Sequence, residues 1–262
     1  MIAVLLFASA LAFAAAYRFY GGWISRKLGL DDRRAVPAEL QYDGIDFVPT
    51  RTPVLLGHHF SSIAGAGPVV GPILAGLFFG WVPALLWIVL GSILVGGVHD
   101  FASLVGSIRH RARSVAELAR EYMSPFAFKL CLAFIWLALV YVVVVFVDLT
   151  AATFEDTTFN GGGVAISSGI FIALAIAFGI VGSRTRLPVW ATTLIFLPLV
   201  LGAVWAGDVF TIPQGIIPEI AGSTRNTWNV LLLAYALAAS VTPVWILLQP
   251  RDYLSSFLLY FA

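Results

Sequence analysis

The sequence predicts an all-α membrane protein, built as a polytopic bundle of transmembrane helices. Apolar residues make up 60% of the 262 positions and charged residues 11%, compared with roughly 25% charged residues in soluble domains. Several apolar stretches approach the ~20 residues that a helix needs to cross a bilayer. Lys and Arg are concentrated in short segments between these stretches. A soluble fold would have to bury every apolar stretch, so a membrane location is the simpler interpretation.

Seven apolar stretches are predicted to span the membrane, and the second of them is broken by glycine and proline. The seven are residues 2–17, 58–79, 81–106, 126–150, 164–181, 188–205 and 230–248. The closing residues SFLLYFA have the composition of an eighth span that is cut off. Trp and Tyr recur near the span ends, as expected for rings that settle at lipid headgroups. Residues 1–262 are therefore predicted to form a single transmembrane domain.

The first stretch is predicted to be a retained helix and not a signal peptide. Signal peptides carry positive charge before their apolar core, whereas Met1–Ala16 contains no basic residue and Arg18, Arg26 and Lys27 follow it. The chain is therefore expected to enter the membrane from outside, with a periplasmic N-terminus.

The distribution of basic residues predicts the topology. If every stretch crosses, 14 of the 15 Lys and Arg residues lie on one side of the membrane, and only Arg225 lies opposite. The positive-inside rule assigns the basic side to the cytoplasm. A re-entrant second stretch would divide the basic residues almost evenly, so residues 58–79 are predicted to cross.

The segment Gly57–Gly80 is predicted to contain a break in its helix, across residues 65–72. Pro68 and Pro72 each remove a backbone donor and crowd the preceding turn. Exposed backbone at membrane depth is tolerated in substrate sites of transporters, where free N–H groups can meet an anion such as a carboxylate. The predicted substrate-binding residues are Ala64, Gly65, Ala66, Gly67, Pro68 and Gly71. Close helix packing through these small residues is the alternative.

Two pairs of ionisable residues are predicted to handle protons, because a charge at membrane depth is costly and usually functional. His58 and His59 open the second stretch, and His99 and Asp100 lie within the third. For Asp100, a structural ion pair with Arg109 or with the His58 and His59 side is weighed evenly against a proton-coupling role.

Other polar residues have structural explanations. Asp148, near the outer end of the fourth stretch, is explained most economically by its carboxylate reaching the interface. Ser114 and Glu117 have the spacing of a capping box at the start of a short helix. Cys131 is the only cysteine, so neither a disulfide within the chain nor a cysteine metal site is proposed.

Four segments carry a resemblance to a known family. They are DGIDFVPT (43–50), LLGHHFSSIAGAGPVVGP (55–72), VHDF (98–101) and VTPVWILLQPRDYLSSFLLYF (241–261). With these motifs the sequence resembles the N-terminal part of the carbon starvation protein A family of bacterial membrane transporters, whose members are much longer. The resemblance implies an inner-membrane uptake system expressed when carbon is scarce, associated with peptide uptake and with proton-coupled pyruvate uptake. It also implies a fold similar to the broken-helix amino-acid transporter superfamily.

Three classes of function are compared. The favoured class is a secondary transporter, not an enzyme, that binds a carboxylate-bearing nutrient at the broken stretch and draws on a proton gradient. The second is a membrane-embedded metal protein that uses the histidines and Asp100, which no HExxH or CxxC motif supports. The third is a non-transporting starvation sensor or scaffold. The expected partners are the lipid bilayer and a small-molecule substrate, with no cofactor, metal or nucleic acid, and a homo-oligomer is left open.

Overall fold

The computed structural model describes residues 2–31, 33–185, 187–213 and 215–261, and it contains helices and no strand within them. The helices are α1 (Ile2–Leu28), α2 (Pro37–Leu40), α3 (Thr52–Ile63), α4 (Ala66–Phe79), α5 (Trp81–Arg109), α6 (Val115–Tyr122), α7 (Pro125–Glu155), α8 (Gly161–Arg184), α9 (Val189–Val209), α10 (Thr224–Ser240) and α11 (Leu248–Phe261). The predicted all-α fold is confirmed.

Six helical segments of the described chain are long and apolar enough to cross a membrane. They are α1, the α3–α4 segment Thr52–Phe79, α5, α7, α8 and α9. The most apolar is α7, whose best window has a mean hydropathy of 3.0 with none of its residues buried. Such a helix is stable only where lipid or other protein covers its surface, which agrees with a polytopic membrane protein.

The predicted seventh span, residues 230–248, has different bounds in the structure. Helix α10 has 17 residues and ends at Ser240, which gives it a length of roughly 26 Å at ~1.5 Å per residue. Pro243 follows, and proline disfavours helical geometry at the residue before it. The chain turns through residues 241–247, and α11 begins at Leu248. The segment interpreted as the start of an eighth span therefore lies within α11, a helix that begins earlier, at Leu248.

The chain divides into two compact units. The first unit comprises Met1–Tyr42 and Ala66–Trp136, and the second comprises Asp43–Gly65 and Leu137–Ala262. The single transmembrane domain over residues 1–262 stays a prediction.

In the first unit, α1 and α5 each contain a π-helical segment, Ala16–Gly21 and Trp87–Gly96 respectively. The end of α1 is tied to the end of α5, because the Arg109 guanidinium donates to the carbonyls of Leu28 and Gly29. These contacts engage the Arg109 side chain, one of the structural partners that the sequence suggests for Asp100. The predicted capping box at the start of α6 is present. The Ser114 hydroxyl accepts from the backbone N–H of Glu117, and the Glu117 carboxylate accepts from the backbone N–H of Ser114.

The core of the second unit lies between α8, α9 and α11. Its buried residues are Phe178, Phe196, Val200, Tyr253 and Leu254, of which Val200 and Leu254 are fully buried. The Phe178 and Phe196 rings meet edge to face at 5.4 Å, and the Tyr253 hydroxyl lies 2.7 Å from that of Thr193. Helix α11 is thus held in the core by apolar packing and by one hydroxyl pair.

Candidate functional site

The helix predicted to be broken is interrupted earlier than the prolines suggest. Helix α3 ends at Ile63, Ala64 has φ −79° and ψ 35°, and α4 begins at Ala66. Regular helix continues through Pro72, so the predicted break across residues 65–72 is wrong in its bounds. Pro68 lies in the first turn of α4, where an N–H has no intrahelical acceptor, and Pro72 removes a single donor.

The predicted substrate residues lie on both sides of this break. Ala64 and Gly65 are its two non-helical residues and belong to the second unit, whereas residues 66–71 form the first turns of α4 in the first unit. A Cβ added at Gly71 would meet no described atom within 4 Å. The close-packing alternative for that glycine therefore has no contact to support it among the described residues, and the binding role of the segment stays a prediction.

A cluster of polar side chains lies on the α3 side of the break, between α3 and α11. The His58 Nδ1 lies 2.8 Å from the Asp252 Oδ2. The other carboxylate oxygen, Oδ1, accepts a hydrogen bond from the Arg251 Nε at 2.9 Å. One turn along α3, the Ser61 hydroxyl donates to the Asp252 backbone carbonyl at 2.7 Å and lies 2.9 Å from the Ser255 hydroxyl. We call His58, Ser61, Arg251, Asp252 and Ser255 the α3–α11 cluster.

Burial makes Asp252 the centre of this cluster. Asp252 is 7% exposed, and a buried carboxylate is tolerated only where charged or hydrogen-bonding groups compensate for its lost hydration. His58 and Arg251 provide that compensation, with side chains 26% and 33% exposed. A change of protonation at His58 therefore changes the electrostatic environment of a carboxylate that water barely reaches.

Gly57 allows α3 and α11 to approach closely enough for these contacts. A Cβ added at Gly57 would lie 2.8 Å from the Tyr253 Cδ2 and 3.1 Å from its Cα. The Tyr253 Cα belongs to the backbone and cannot rotate away, so a side chain at Gly57 would force α3 and α11 apart. The residue before His58 thus sets the spacing that brings His58 to Asp252.

We expect Gly57→Ala to lower the stability of the full-length protein by about 2 kcal/mol, because overpacked interiors lose roughly this much. Thermal unfolding of the purified protein in detergent measures the change. Gly71→Ala is the matched control, since its Cβ enters open space. Equal melting temperatures for the two variants would contradict the close contact described at Gly57.

The start of α3 is anchored by the DGIDFVPT segment. The Asp43 Oδ1 accepts hydrogen bonds from the backbone N–H groups of Ile45, Asp46 and Phe47, each at 2.9 Å. These donors, that of Ile45 foremost, hold the pKa of the Asp43 carboxyl below its usual range. Further along, the Thr50 hydroxyl donates to the Gln249 Oε1 at 3.1 Å. Two motifs that lie far apart in sequence thus meet next to the cluster.

The remaining predicted proton carriers lie elsewhere. His59 is exposed on α3. In the first unit, the His99 Nδ1 lies 3.0 Å from the Asp100 Oδ1, with side chains 75% and 38% exposed. The carboxylate that pairs with His58 is thus Asp252, and the described partner of Asp100 is its neighbour His99.

Sequence reasoning missed Asp252 and Arg251 as site residues. The sequence pattern places Arg251 in a cytoplasmic loop, because it predicts a seventh span that ends at residue 248. Both residues lie in QPRDYL (249–254), within the segment 241–261 that carries the family resemblance. An acidic residue next to a basic one inside an otherwise apolar motif was the available signal.

Asp148 has a specific partner in the structure. The Arg225 Nε and one terminal guanidinium nitrogen donate to the two Asp148 carboxylate oxygens at 2.8 and 2.6 Å, which joins α7 to α10. Arg225 is the one basic residue that departed from the charge bias. The Arg225 and Asp148 side chains are 39% and 50% exposed. This bidentate ion pair therefore fixes the position of α7 relative to α10 more than it adds to the free energy of folding.

The second unit also contains a cavity of about 660 Å³. Its lining includes Glu155, Asp156, Glu219 and Trp228, and includes neither His58 nor Asp252. The α3–α11 cluster is preferred as the candidate site because it combines buried charge, complete hydrogen bonding and proximity to the helix break. Within the described residues, no group of three or more His, Cys, Asp or Glu side chains is placed to hold a metal ion.

The whole chain, residues 1–262, matches the family model described as Carbon starvation protein CstA. It is 36% identical over 257 residues to the "Peptide transporter CstA" of Campylobacter jejuni, which covers 97% of this chain and 36% of that protein. It is 36% identical over 256 residues to the transporter of the same name in Bacillus subtilis, covering 97% and 41%.

A relative named for a different function has a similar degree of identity. The "Pyruvate/proton symporter BtsT" of Escherichia coli is 33% identical over 254 residues, covering 96% of this chain and 34% of that protein. The chain thus spans well under half the length of these relatives. No solved structure matches it.

Proposed function

We propose, from the premise that this chain belongs to the carbon starvation protein CstA family, that it forms part of a secondary transporter of the bacterial inner membrane. The transporter takes up a small carboxylate-bearing nutrient, pyruvate or a peptide, together with a proton, and its N-terminus faces the periplasm. The proposal rests on the names of the relatives and on one observation, the buried His58–Asp252 pair beside the break between α3 and α4.

The pair has the chemistry that proton coupling needs. Histidine is the side chain whose ordinary pKa lies nearest to physiological pH. A proton on His58 converts its hydrogen bond with Asp252 into an ion pair. Loss of that proton leaves a neutral imidazole that can still donate to the carboxylate, with Arg251 as the charged partner. Because α3 and α11 meet through this contact, protonation changes how strongly the two helices are held together. The exposed His59 and the His99–Asp100 pair are proposed as further steps on the proton route.

The helix break is the proposed substrate site. Helix α4 begins at Ala66, and the first N–H groups of a helix lack intrahelical acceptors and carry its positive dipole end. An anionic carboxylate, the group that pyruvate and peptides share, suits such a position. His58 precedes the end of α3 by five residues, or roughly 8 Å along the helix axis. Proton and substrate would therefore act on adjoining parts of one interrupted helix.

Transport by reconstituted protein tests this function. The full-length protein that carries residues 1–262 is placed in liposomes with an imposed pH gradient, acid outside, and uptake of labelled pyruvate, dipeptides and tripeptides is measured. We expect accumulation of at least one of these substrates that collapses when an ionophore dissipates the gradient. Gradient-independent uptake would overturn the coupling, and absence of uptake and binding for all three would favour a sensor or scaffold.

A further inference from the structure

A groove of about 520 Å³ lies on the first unit between α1 and α5. Its walls are largely apolar, with Phe13 and Ile24 on α1 and Ile93 and Phe101 on α5, and one charged residue, Arg18, lines it. We call this feature the α1–α5 groove. It belongs to a different unit from the α3–α11 cluster, and the proposed transport function does not use it.

The groove coincides with the π-helical segments of both helices. Its lining draws on Ala16–Gly21 in α1 and on Trp87–Gly96 in α5. A π-helical turn is wider than an α-helical one and is frequently found at functional sites. Gly21, Gly22 and Gly97 also line the groove and contribute no side chain to fill it. The local backbone therefore opens space where two regular helices would pack closely.

Arg18 brings a charge to the edge of the hydrocarbon. It follows Ile2 by 16 residues, or roughly 24 Å of helix, within a hydrocarbon core of ~30 Å. In the described parts of the chain, Arg18 forms no salt bridge, and the groove lining contains no Asp or Glu. At the edge of the hydrocarbon a guanidinium can reach the headgroup layer and attract an anion there, and such an anion would come from outside these residues.

The neighbouring aromatic residues place the groove at headgroup level. Tyr17 is 85% exposed, and Tyr20 stacks on Trp23 with ring centroids 5.9 Å apart. The Lys27 ammonium lies 5.9 Å from the Trp23 ring. Exposed Tyr and Trp side chains with nearby cations are typical of a membrane–water interface. The charge bias assigns this end of α1 to the cytoplasmic leaflet, which is rich in anionic lipids.

We propose that the α1–α5 groove binds an anionic phospholipid of the cytoplasmic leaflet. An acyl chain occupies the apolar walls, and the Arg18 guanidinium donates to the phosphate, an acceptor that fits its planar fork of N–H groups. Tyr17 and Ser25, which also line the groove, add hydroxyls at the headgroup end. The occupant is identified by charge complementarity, because an apolar helix in the same groove would leave Arg18 without an anion.

Lipid retention tests the proposal without reference to transport. The full-length protein is extracted from membranes in mild detergent, supplied with equal amounts of phosphatidylglycerol and phosphatidylcholine, and the retained lipid is counted by native mass spectrometry. We expect Arg18→Gln to reduce retained phosphatidylglycerol about fivefold, the scale of one basic residue at an anionic surface, and to leave phosphatidylcholine unchanged. Arg26→Gln is the control, since Arg26 lies on the same helix and does not line the groove, and it is expected to reduce retained phosphatidylglycerol less than Arg18→Gln does.

Two further variants keep the result interpretable. Ile93→Trp fills the groove without changing charge and is expected to reduce phosphatidylglycerol as well. Arg18→Lys keeps the charge, guards against a folding defect in Arg18→Gln, and is expected to retain most of the lipid. Wild-type retention of phosphatidylglycerol by Arg18→Gln would overturn the proposal. An equal loss of both lipids in Arg18→Gln would also overturn it. Crosslinking that shows another helix of the full-length protein in the groove would have the same consequence.

Discussion

Asp252→Asn is expected to lower proton-driven accumulation of substrate by the full-length protein more than it lowers substrate exchange. Asparagine has the shape of aspartate and keeps an oxygen that can accept from Arg251, but it carries no charge to pair with a protonated His58. Protonation of His58 would then place an uncompensated cation between α3 and α11. We expect accumulation in liposomes with a pH gradient to fall by about tenfold or more, as one lost buried charge interaction shifts an equilibrium by at least that factor.

Exchange of labelled for unlabelled substrate, without a gradient, separates coupling from binding. Asp252→Asn should retain this exchange, because the proposed substrate site at the helix break is not altered. Asp148→Asn is the matched control, since it neutralises a carboxylate that is paired with Arg225 and half exposed. Gradient-driven uptake that survives in Asp252→Asn would remove the cluster from the coupling mechanism. Loss of exchange together with uptake would instead assign Asp252 to substrate binding or to the fold.

Gly207→Ala is expected to destabilise the second unit by about 3 kcal/mol, at the upper end of the usual cost of overpacking. A Cβ at Gly207 would collide with the Ser167 hydroxyl and with the Gly163 backbone carbonyl on α8. The Asn160 side-chain amide also donates to the Gly207 carbonyl at 3.1 Å, which ties the two helices at the same level. The added Cβ can avoid the Gly163 carbonyl oxygen only if α8 and α9 move apart. That movement would weaken the packing between the two helices.

Thermal unfolding of the purified full-length protein measures this effect. Gly202→Ala is the control on the same helix, because a Cβ there meets nothing within 4 Å, and alanine favours a helix over glycine by ~1 kcal/mol. We therefore expect Gly202→Ala to leave the melting temperature unchanged or raised, and Gly207→Ala to lower it by several degrees. A stabilised Gly207→Ala protein would show that the two helices are not held in close contact there.

Features that depend on local sequence were predicted well. The apolar length of a stretch and the position of glycine and proline act within one or two helical turns. The all-α polytopic fold, six of the spanning stretches, the interruption after α3 and the capping box at Ser114 followed from these short-range rules. The bounds of the interruption did not, because a helix tolerates proline in its first turn and can lose one donor at Pro72 without ending.

Features that depend on which helices become neighbours were not predicted. His58 and Asp252 are 194 residues apart in the sequence, and Asp148 and Arg225 are 77 apart. The sequence offers only a local explanation for Asp148 and none for Asp252, since a hydropathy pattern shows where a helix lies and not which residues face it. The pattern places Arg251 in a loop for the same reason.

The sequence by itself determined that this protein is a membrane-spanning helical chain with an interrupted second span, because apolar length and proline chemistry act locally. Only the tertiary structure decided which charges meet. It placed Asp252 against His58 and Arg251, because the small Gly57 lets α11 pack closely on α3. Compensation of a buried charge depends on contacts of a few ångströms between distant segments, and no pattern within one segment specifies those contacts.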